Sequence, residues 1–203
     1  MADIDIGAAA IGREATASLT SFTVVGAENP ADGDGWITSC EIWLESKIST
    51  VDVWVGTFSA SGNDLTCRDS ESIGDIAVGS KQTVSGLDIT VMTGDYLGTH
   101  DKSGLYPAIE KDNSGDGYWS YTGECIDPSD SQTFTLIANR TISLYGEGST
   151  EPPVTEKTSS DAGSGVDAYV SLETPQAKAS SDIGSGVEGT PVQSAILAGS
   201  EAG

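Results

Sequence analysis

The sequence predicts an all-β protein, an antiparallel β-sandwich of jelly-roll-like type with an extended C-terminal arm. Short segments rich in Val, Ile, Thr and aromatic residues recur at a spacing of roughly 8–12 residues, with turn residues between them. Helical periodicity is scarce, and its best stretch, residues 8–17, is interrupted by Gly12. From residue 148 onward Tyr169 is the one aromatic residue. We therefore predict a head at 1–147, a linker at 148–158 and an arm at 159–203.

The composition of each segment supports its assignment to a strand. The first segment combines Thr, Val and Phe before a turn at Asn29 and Pro30, and a later one joins Tyr, Trp and Tyr. In order along the chain the predicted strands cover 19–25, 36–45, 51–58, 63–68, 72–78, 83–91, 117–121, 134–137 and 141–145, with a turn at 94–98 that leads into one more. Alternation with a period of two predicts two sets of core residues: Cys40, Ile42 and Leu44, then Val51, Val53 and Val55. Because no helical crossover separates these segments, the strands are expected to be antiparallel.

Acidic residues dominate the charge of the chain. It carries 31 acidic and 9 basic residues, for a net charge of −22, and the head accounts for −16 of it. Such a surface repels phosphate backbones, so we expect no nucleic-acid partner. Solubility or hydration in salty water is a simpler explanation of the charge than a directed role such as docking on a basic partner or binding cations. We expect no membrane partner, because no apolar run is long enough to span a bilayer, and no cleaved signal at residues 1–7.

The arm contains a repeat. Residues 159–166 are Ser-Ser-Asp-Ala-Gly-Ser-Gly-Val, and residues 180–187 are Ser-Ser-Asp-Ile-Gly-Ser-Gly-Val. The arm is too poor in apolar side chains to offset the entropy of folding alone, about 1–2 kcal/mol per residue for the backbone. Short apolar stretches after each Gly-Ser-Gly are suited to adding a strand or docking in a groove of another molecule. The repeat therefore indicates assembly, with other copies of the chain as the simplest partner.

A resemblance supports the same reading of the head. Residues 2–7 (Ala-Asp-Ile-Asp-Ile-Gly), 37–43 (Ile-Thr-Ser-Cys-Glu-Ile-Trp), 79–83 (Gly-Ser-Lys-Gln-Thr) and 142–146 (Ile-Ser-Leu-Tyr-Gly) resemble a β-sandwich module of uncharacterised phage and environmental-virus proteins. The arm repeat is similar to low-complexity arms of such structural proteins. The resemblance implies a virion-associated or surface structural role, and it marks no active site.

No motif predicts catalysis. The single histidine, His100, stands in Gly-Thr-His-Asp-Lys, a sequence typical of an exposed loop, and Gly163-Ser164-Gly165 lacks the flanking strand and helix of a nucleophile elbow. Glu41 and Glu45 flank Trp43 on one strand face, as in a sugar-cleaving cleft, but a solvated outer face with one packed indole is the simpler explanation. We expect no enzyme activity, no catalytic residue and no cofactor.

Binding sites are also weakly indicated. Asp112 and Asp116, in Asp-Asn-Ser-Gly-Asp-Gly, supply oxygen ligands of the kind that calcium prefers, but the remaining ligands of a calcium loop are missing. Asp32-Gly33-Asp34 is weaker still, so no metal site is assigned. Cysteines 40, 67 and 125 are interpreted as buried thiols, with one disulfide as the alternative. Trp54, Tyr118, Trp119 and Tyr121 are either core residues or an exposed patch for sugar stacking.

These observations together favour a structural protein. We expect a virion-associated component, such as a capsid decoration, cement or fibre-type protein, that assembles through its arm as a homo-oligomer and with other virion or surface proteins. Its location would be the virion or another extracellular assembly. The alternative is a carbohydrate- or cell-surface-binding β-sandwich module of an adhesin.

Overall fold

Residues 4–152, which the computed structural model describes, form strands and no helix. The fourteen strands are β1 (Ile4–Ala8), β2 (Ala15–Ser18), β3 (Phe22–Gly26), β4 (Gly35–Ser46), β5 (Val53–Ser61), β6 (Asp64–Gly74), β7 (Ser80–Val91), β8 (Tyr96–Asp101), β9 (Ala108–Asp112), β10 (Tyr118–Thr122), β11 (Ser131–Thr133), β12 (Thr135–Ile137), β13 (Thr141–Ile142) and β14 (Leu144–Ser149). The predicted arm, 159–203, and linker residues 153–158 lie outside the described residues. None of the described elements is a helix long and apolar enough to cross a membrane.

The strands form two seven-stranded sheets in which every pair of strands is antiparallel. The first sheet has the order β1-β14-β4-β9-β13, with β7 on the other side of β4 and β2 on β9. The second has the order β11-β6-β5-β8-β3-β10-β12. The prediction of an all-β, antiparallel fold is confirmed.

The second sheet nearly closes on itself. Its two edge strands, β11 and β12, are consecutive in the chain and are joined through Phe134, while β11 pairs with β6 and β12 with β10. Phe134 is buried and meets the ring of Phe58 edge-on at 6.2 Å between centroids. The head is therefore a near-barrel and a second sheet rather than the plain two-sheet sandwich that the sequence predicts, and a jelly-roll connectivity remains a prediction.

Two apolar clusters hold the head together. The larger takes side chains from both sheets, and it includes all six of the residues predicted to face the core at positions 40, 42, 44, 51, 53 and 55. The smaller cluster comes from the second sheet and its connections, and it includes Val25, Phe58, Leu65 and Phe134. Alternation in β4 and β5 thus identified the core face correctly, because the side-chain period of a strand is local.

Carboxylates cover one exposed sheet edge. The backbone N–H groups of Asp88 and Thr90 on β7 donate to Glu71 (3.0 Å) and Asp69 (2.8 Å), which belong to β6 of the other sheet. Unpaired edge groups otherwise invite pairing with another chain. The acidic residues of β6 therefore both link the sheets and block this edge.

Several predicted boundaries differ from the structure. Segments 63–68 and 72–78 are largely one strand, β6, and the alanine-rich stretch 8–17 includes most of the strand β2. The short strands β1 and β9 were not predicted as strands. The sequence of β9, Ala-Ile-Glu-Lys-Asp, has no apolar alternation, because a charged residue, Glu110, occupies a buried position. Partners that are distant in sequence accommodate this charge. At the other end of the head, β14 continues to Ser149, two residues into the predicted linker.

Candidate functional site

His100 does not lie in an exposed loop, so that prediction is wrong. It is in β8, paired with Trp54 of β5, and only 4% of it is exposed. Its Nδ1 lies 3.0 Å from the carbonyl oxygen of Phe22 and 3.3 Å from the hydroxyl of Thr23. The carbonyl oxygen of Phe22 can only accept, so Nδ1 is the donor in that bond, and the Thr23 hydroxyl donates to the carbonyl of Gly123 at 2.9 Å. These bonds connect the ring to β3 within the second sheet.

The two glutamates that flank Trp43 have different surroundings. Glu41 forms an ion pair with Lys81 at 2.7 Å on the solvent face. Glu45 instead contacts the carboxyl group of Glu110 on β9. Trp43 is half-buried, packs against Gly12, and has an Nε1–H without a hydrogen-bond partner among the described residues. The pair that the sequence singled out, Glu41 and Glu45, is thus not the carboxylate pair that the fold brings together.

Arg13 organises the charged groups on this face. Its backbone N–H donates to Glu110 at 2.7 Å, and its guanidinium forms an ion pair with Asp112 and donates to Ser143 (2.8 Å) and to the carbonyl of Ala9 (3.0 Å). Its side chain is 8% exposed. Arg13 therefore fastens the connection between β1 and β2 across the outer face of the first sheet. The sequence gave no signal for this cluster, because its members are about 100 residues apart.

The pKa of Glu110 is raised, chiefly by burial and then by its hydrogen bond with Glu45, while the bond from the Arg13 backbone opposes the rise. A carboxyl whose pKa rises on folding stabilises the fold at low pH, and this contribution is lost as pH rises through the folded pKa. We expect Glu110→Gln, which cannot ionise, to gain stability relative to the natural protein as pH rises above about 4.5. Denaturant unfolding over the range of about pH 4–8 measures the difference. Parallel curves, or an equal trend for exposed Glu14→Gln, would contradict the assignment.

The Asp112 loop is organised by contacts within the head. Burial opposes the charged form of Asp112, but hydrogen bonds from Ser114 and Arg13 outweigh it and lower its pKa. Glu28 accepts the backbone N–H of Asp116 at 3.0 Å and the hydroxyl of Thr141. Gly115 has φ +103°, and a Cβ there would lie 1.7 Å from Glu28. The loop thus uses its polar atoms as a turn does, and among the described residues Asp112 and Asp116 belong to no group of three acidic, histidine or cysteine side chains that could hold a metal ion.

Three other acidic residues do converge. Glu124, Asp127 and Asp130 place one carboxylate oxygen each within 4.8 Å of one another, and Lys102 forms an ion pair with Asp127. Sequence inspection missed this cluster. Exposed acidic groups of this kind are common without a bound ion, so we assign no cation to them. Asp32 and Asp34, the weaker sequence candidate, accept backbone N–H groups of Asp5 (3.1 Å) and Thr93 (2.7 Å).

The four aromatic residues do not form one exposed patch. Trp119 and Tyr118 are buried, and Tyr121 packs on Phe134 in the near-barrel. The ring of Trp54 is covered by Lys102, whose Nζ lies 3.9 Å from the ring centroid. Core packing is thus the role of most of these side chains, which is the first of the two interpretations from the sequence.

All three cysteines are buried and free. Burial raises the pKa of Cys40 and Cys67 to about 12 and that of Cys125 to about 11. Since the thiolate is the reactive form, we expect no thiol to react with a disulfide reagent at pH 8 until the head unfolds. Labelling followed by mass spectrometry, with and without denaturant, checks this. Fast labelling of the native protein, or fewer than three reactive thiols after unfolding, would contradict it.

A polar cleft of about 330 Å³ adjoins the Arg13 cluster. It is lined by Ile11, Gly12, Arg13, Glu14, Asp112, Asn113 and Ser114. A guanidinium, two carboxylates and an amide around one cleft are suited to a small polar ligand. No protein-family model, curated protein or solved structure matches this chain.

Proposed function

We propose that this protein is a non-enzymatic structural component of a virus particle or another extracellular assembly, in which the head is displayed and the arm binds neighbouring subunits. It would act as a homo-oligomer, and its head would serve as a jelly-roll-like module. The observation that carries the proposal is the position of β14, the strand that precedes the arm. It lies inside the first sheet, with β1 on one side and β4 on the other.

This position makes β14 a strong anchor. Its residues pair with β1 over Leu144–Gly148 and with β4 from Leu144 to Ser149. A pull on the arm must therefore break two ladders of backbone hydrogen bonds at once, whereas an edge strand would peel away from one. The arm repeat, at residues 159–166 and 180–187, supplies two equivalent binding segments. Two linked segments bind more tightly than one, because the second engages at high effective concentration.

Truncation separates the head from the arm. A chain that ends at Pro152 keeps all fourteen strands, so we expect it to unfold cooperatively and within about 1 kcal/mol of the full chain. The full chain is expected to associate as its concentration rises, and the truncated chain to stay monomeric. Sedimentation velocity and thermal unfolding measure the two properties. Loss of the cooperative transition, or a full chain that stays monomeric at every concentration, would overturn the proposal. Detection of the chain in purified virus particles tests its location.

The cleft beside Arg13 supports a second candidate, a carbohydrate- or cell-surface-binding module. Its polar groups match sugar hydroxyls, although the aromatic patch expected of such a module is absent from the described residues. A glycan array probed with the full chain tests it. Binding that is lost in Asn113→Ala but kept in exposed Gln132→Ala would favour this candidate over the structural one.

A further inference from the structure

Three exposed apolar side chains lie on neighbouring loops at one end of the head. They are Ile48 (73% exposed) between β4 and β5, Val78 (41%) between β6 and β7, and Tyr106 (61%) between β8 and β9. We call these three residues the end patch. Single exposed apolar residues are common, but three on adjacent loops of so acidic a chain are a candidate contact surface.

The loops that carry the end patch are fastened to one another. The N–H of Ile48 donates to the carbonyl of Leu105 at 3.2 Å, next to Tyr106. Lys47 forms an ion pair with Asp75, and this joins the first loop to the second. The N–H of Gly79, beside Val78, donates to Leu44 at the end of β4 (2.8 Å). The patch is therefore presented by a pre-organised frame, which reduces the ordering cost of binding.

The backbone of the loop that carries Tyr106 is strained. Tyr106 has φ +59°, a left-handed conformation that is unfavourable for a residue with a large side chain. The buried carboxylate of Asp101 fixes the loop, because it accepts the N–H groups of Ser103 and Leu105, both at 3.2 Å. Leu105 packs on the main core while Tyr106 faces solvent. Strained backbone of this kind is found at binding sites, so the exposed ring is a candidate for a contact.

We propose that the end patch of one copy binds residues 189–200 of the arm of a second copy, an inference that rests on the proposed function. These residues, Gly-Thr-Pro-Val-Gln-Ser-Ala-Ile-Leu-Ala-Gly-Ser, form the longest uncharged run of the arm and include Val192, Ile196 and Leu197. The head carries a net charge of −16, so an uncharged segment approaches it with the least repulsion. Pairing of two patches would instead bring two such heads together.

A second copy is the occupant because the proposed function has the arm bind neighbouring subunits. Ser149, the last residue of β14, pairs with Trp36 at the start of β4. The end patch lies beyond Ser46 at the other end of that strand, about 30 Å away at a rise of about 3.3 Å per residue. The patch and the end of β14 are thus different parts of the head. Such a contact is heterologous, so it joins copies head to tail.

The test uses full-length variants and sedimentation velocity over a range of concentrations. We expect Ile48→Ser/Tyr106→Ser and Ile196→Ser/Leu197→Ser each to weaken association at least tenfold. Met92→Ser removes an exposed apolar side chain (46%) from the opposite end of the sheet and should have no effect. An equimolar mixture of the two double variants should form heterodimers that neither forms alone, because one supplies the arm and the other the patch. All changed residues of the head are exposed, and thermal unfolding verifies that the head is intact.

The outcomes distinguish this inference from the proposed function. If truncation at Pro152 abolishes association but Ile48→Ser/Tyr106→Ser behaves like Met92→Ser, the arm binds elsewhere and the inference alone is wrong. If the patch variant weakens association while the arm variant does not, the patches pair with each other, which also overturns it. Failure of the mixture of the two double variants to form heterodimers would also overturn the inference. If the full chain is monomeric at every concentration, both the inference and the proposed function are wrong.

Discussion

Replacement of Asp101 with alanine is expected to destabilise the head by about 3–4 kcal/mol. Its side chain is buried, and it accepts N–H groups from Asp52 (3.1 Å), Ser103 and Leu105 as well as the Ser103 hydroxyl (2.6 Å). Alanine would leave several of these donors without an acceptor, and each unsatisfied buried donor costs about 1–3 kcal/mol. The effect is large because one carboxylate joins the start of β5 to the loop after β8.

Denaturant unfolding measures the change in the free energy of unfolding. Asp101→Asn keeps the size and one acceptor oxygen, so we expect it to lose about half as much. The matched control is Asp88→Ala, an exposed aspartate whose side chain makes no hydrogen bond among the described contacts, and it should change stability by less than about 0.5 kcal/mol. A loss below about 1 kcal/mol for Asp101→Ala would show that solvent replaces the carboxylate.

Arg68→Met is expected to cost about 2–4 kcal/mol. Arg68 donates to both oxygens of Asp95, through Nε and through Nη2 at 2.9 Å, and this hydrogen bonding raises the pKa of the guanidinium. The Asp95 side chain is 3% exposed, so methionine leaves a buried carboxylate without its cation. The Arg68 side chain is 29% exposed, and solvent screening therefore lowers the expected cost below that of a fully buried pair.

The surface pair of Lys81 and Glu41 provides the control for this prediction. Both of its side chains are more exposed than Asp95, so Lys81→Met should cost less than about 1 kcal/mol. The double variant Arg68→Met/Asp95→Asn should recover part of the loss, because it removes the unpaired charge. Equal effects of Arg68→Met and Lys81→Met in denaturant unfolding would mean that the buried pair contributes no more than a surface pair.

Much of the fold could be predicted because strand signals are local. The alternation around Cys40, Ile42 and Leu44 identified both the strand β4 and its core face, and the valines of 51–55 did the same for β5. Turn residues and the lack of helical periodicity excluded crossover helices, and the described residues contain none. The weak signal at β9 shows the limit of this reasoning, since a short strand with three charged residues has no apolar alternation.

The candidate sites depended on contacts that the sequence does not show. The polar run around His100 predicted a loop, but β8 lies between β5 and β3, and its polar groups are satisfied there by Phe22 and by backbone partners. Arg13 and Glu110 are nearly a hundred residues apart, and the fold makes them neighbours.

Sequence by itself determined the β-class, the main core faces, the acidic charge and the repeated arm, because these properties follow from residue type and short-range periodicity. Tertiary structure decided the near-closure of the second sheet, the burial of Asp95, Asp101 and Glu110, and the place of β14 between two strands. The physical reason is that a buried charge is stable only where distant partners compensate its desolvation, and only the folded chain brings those partners together.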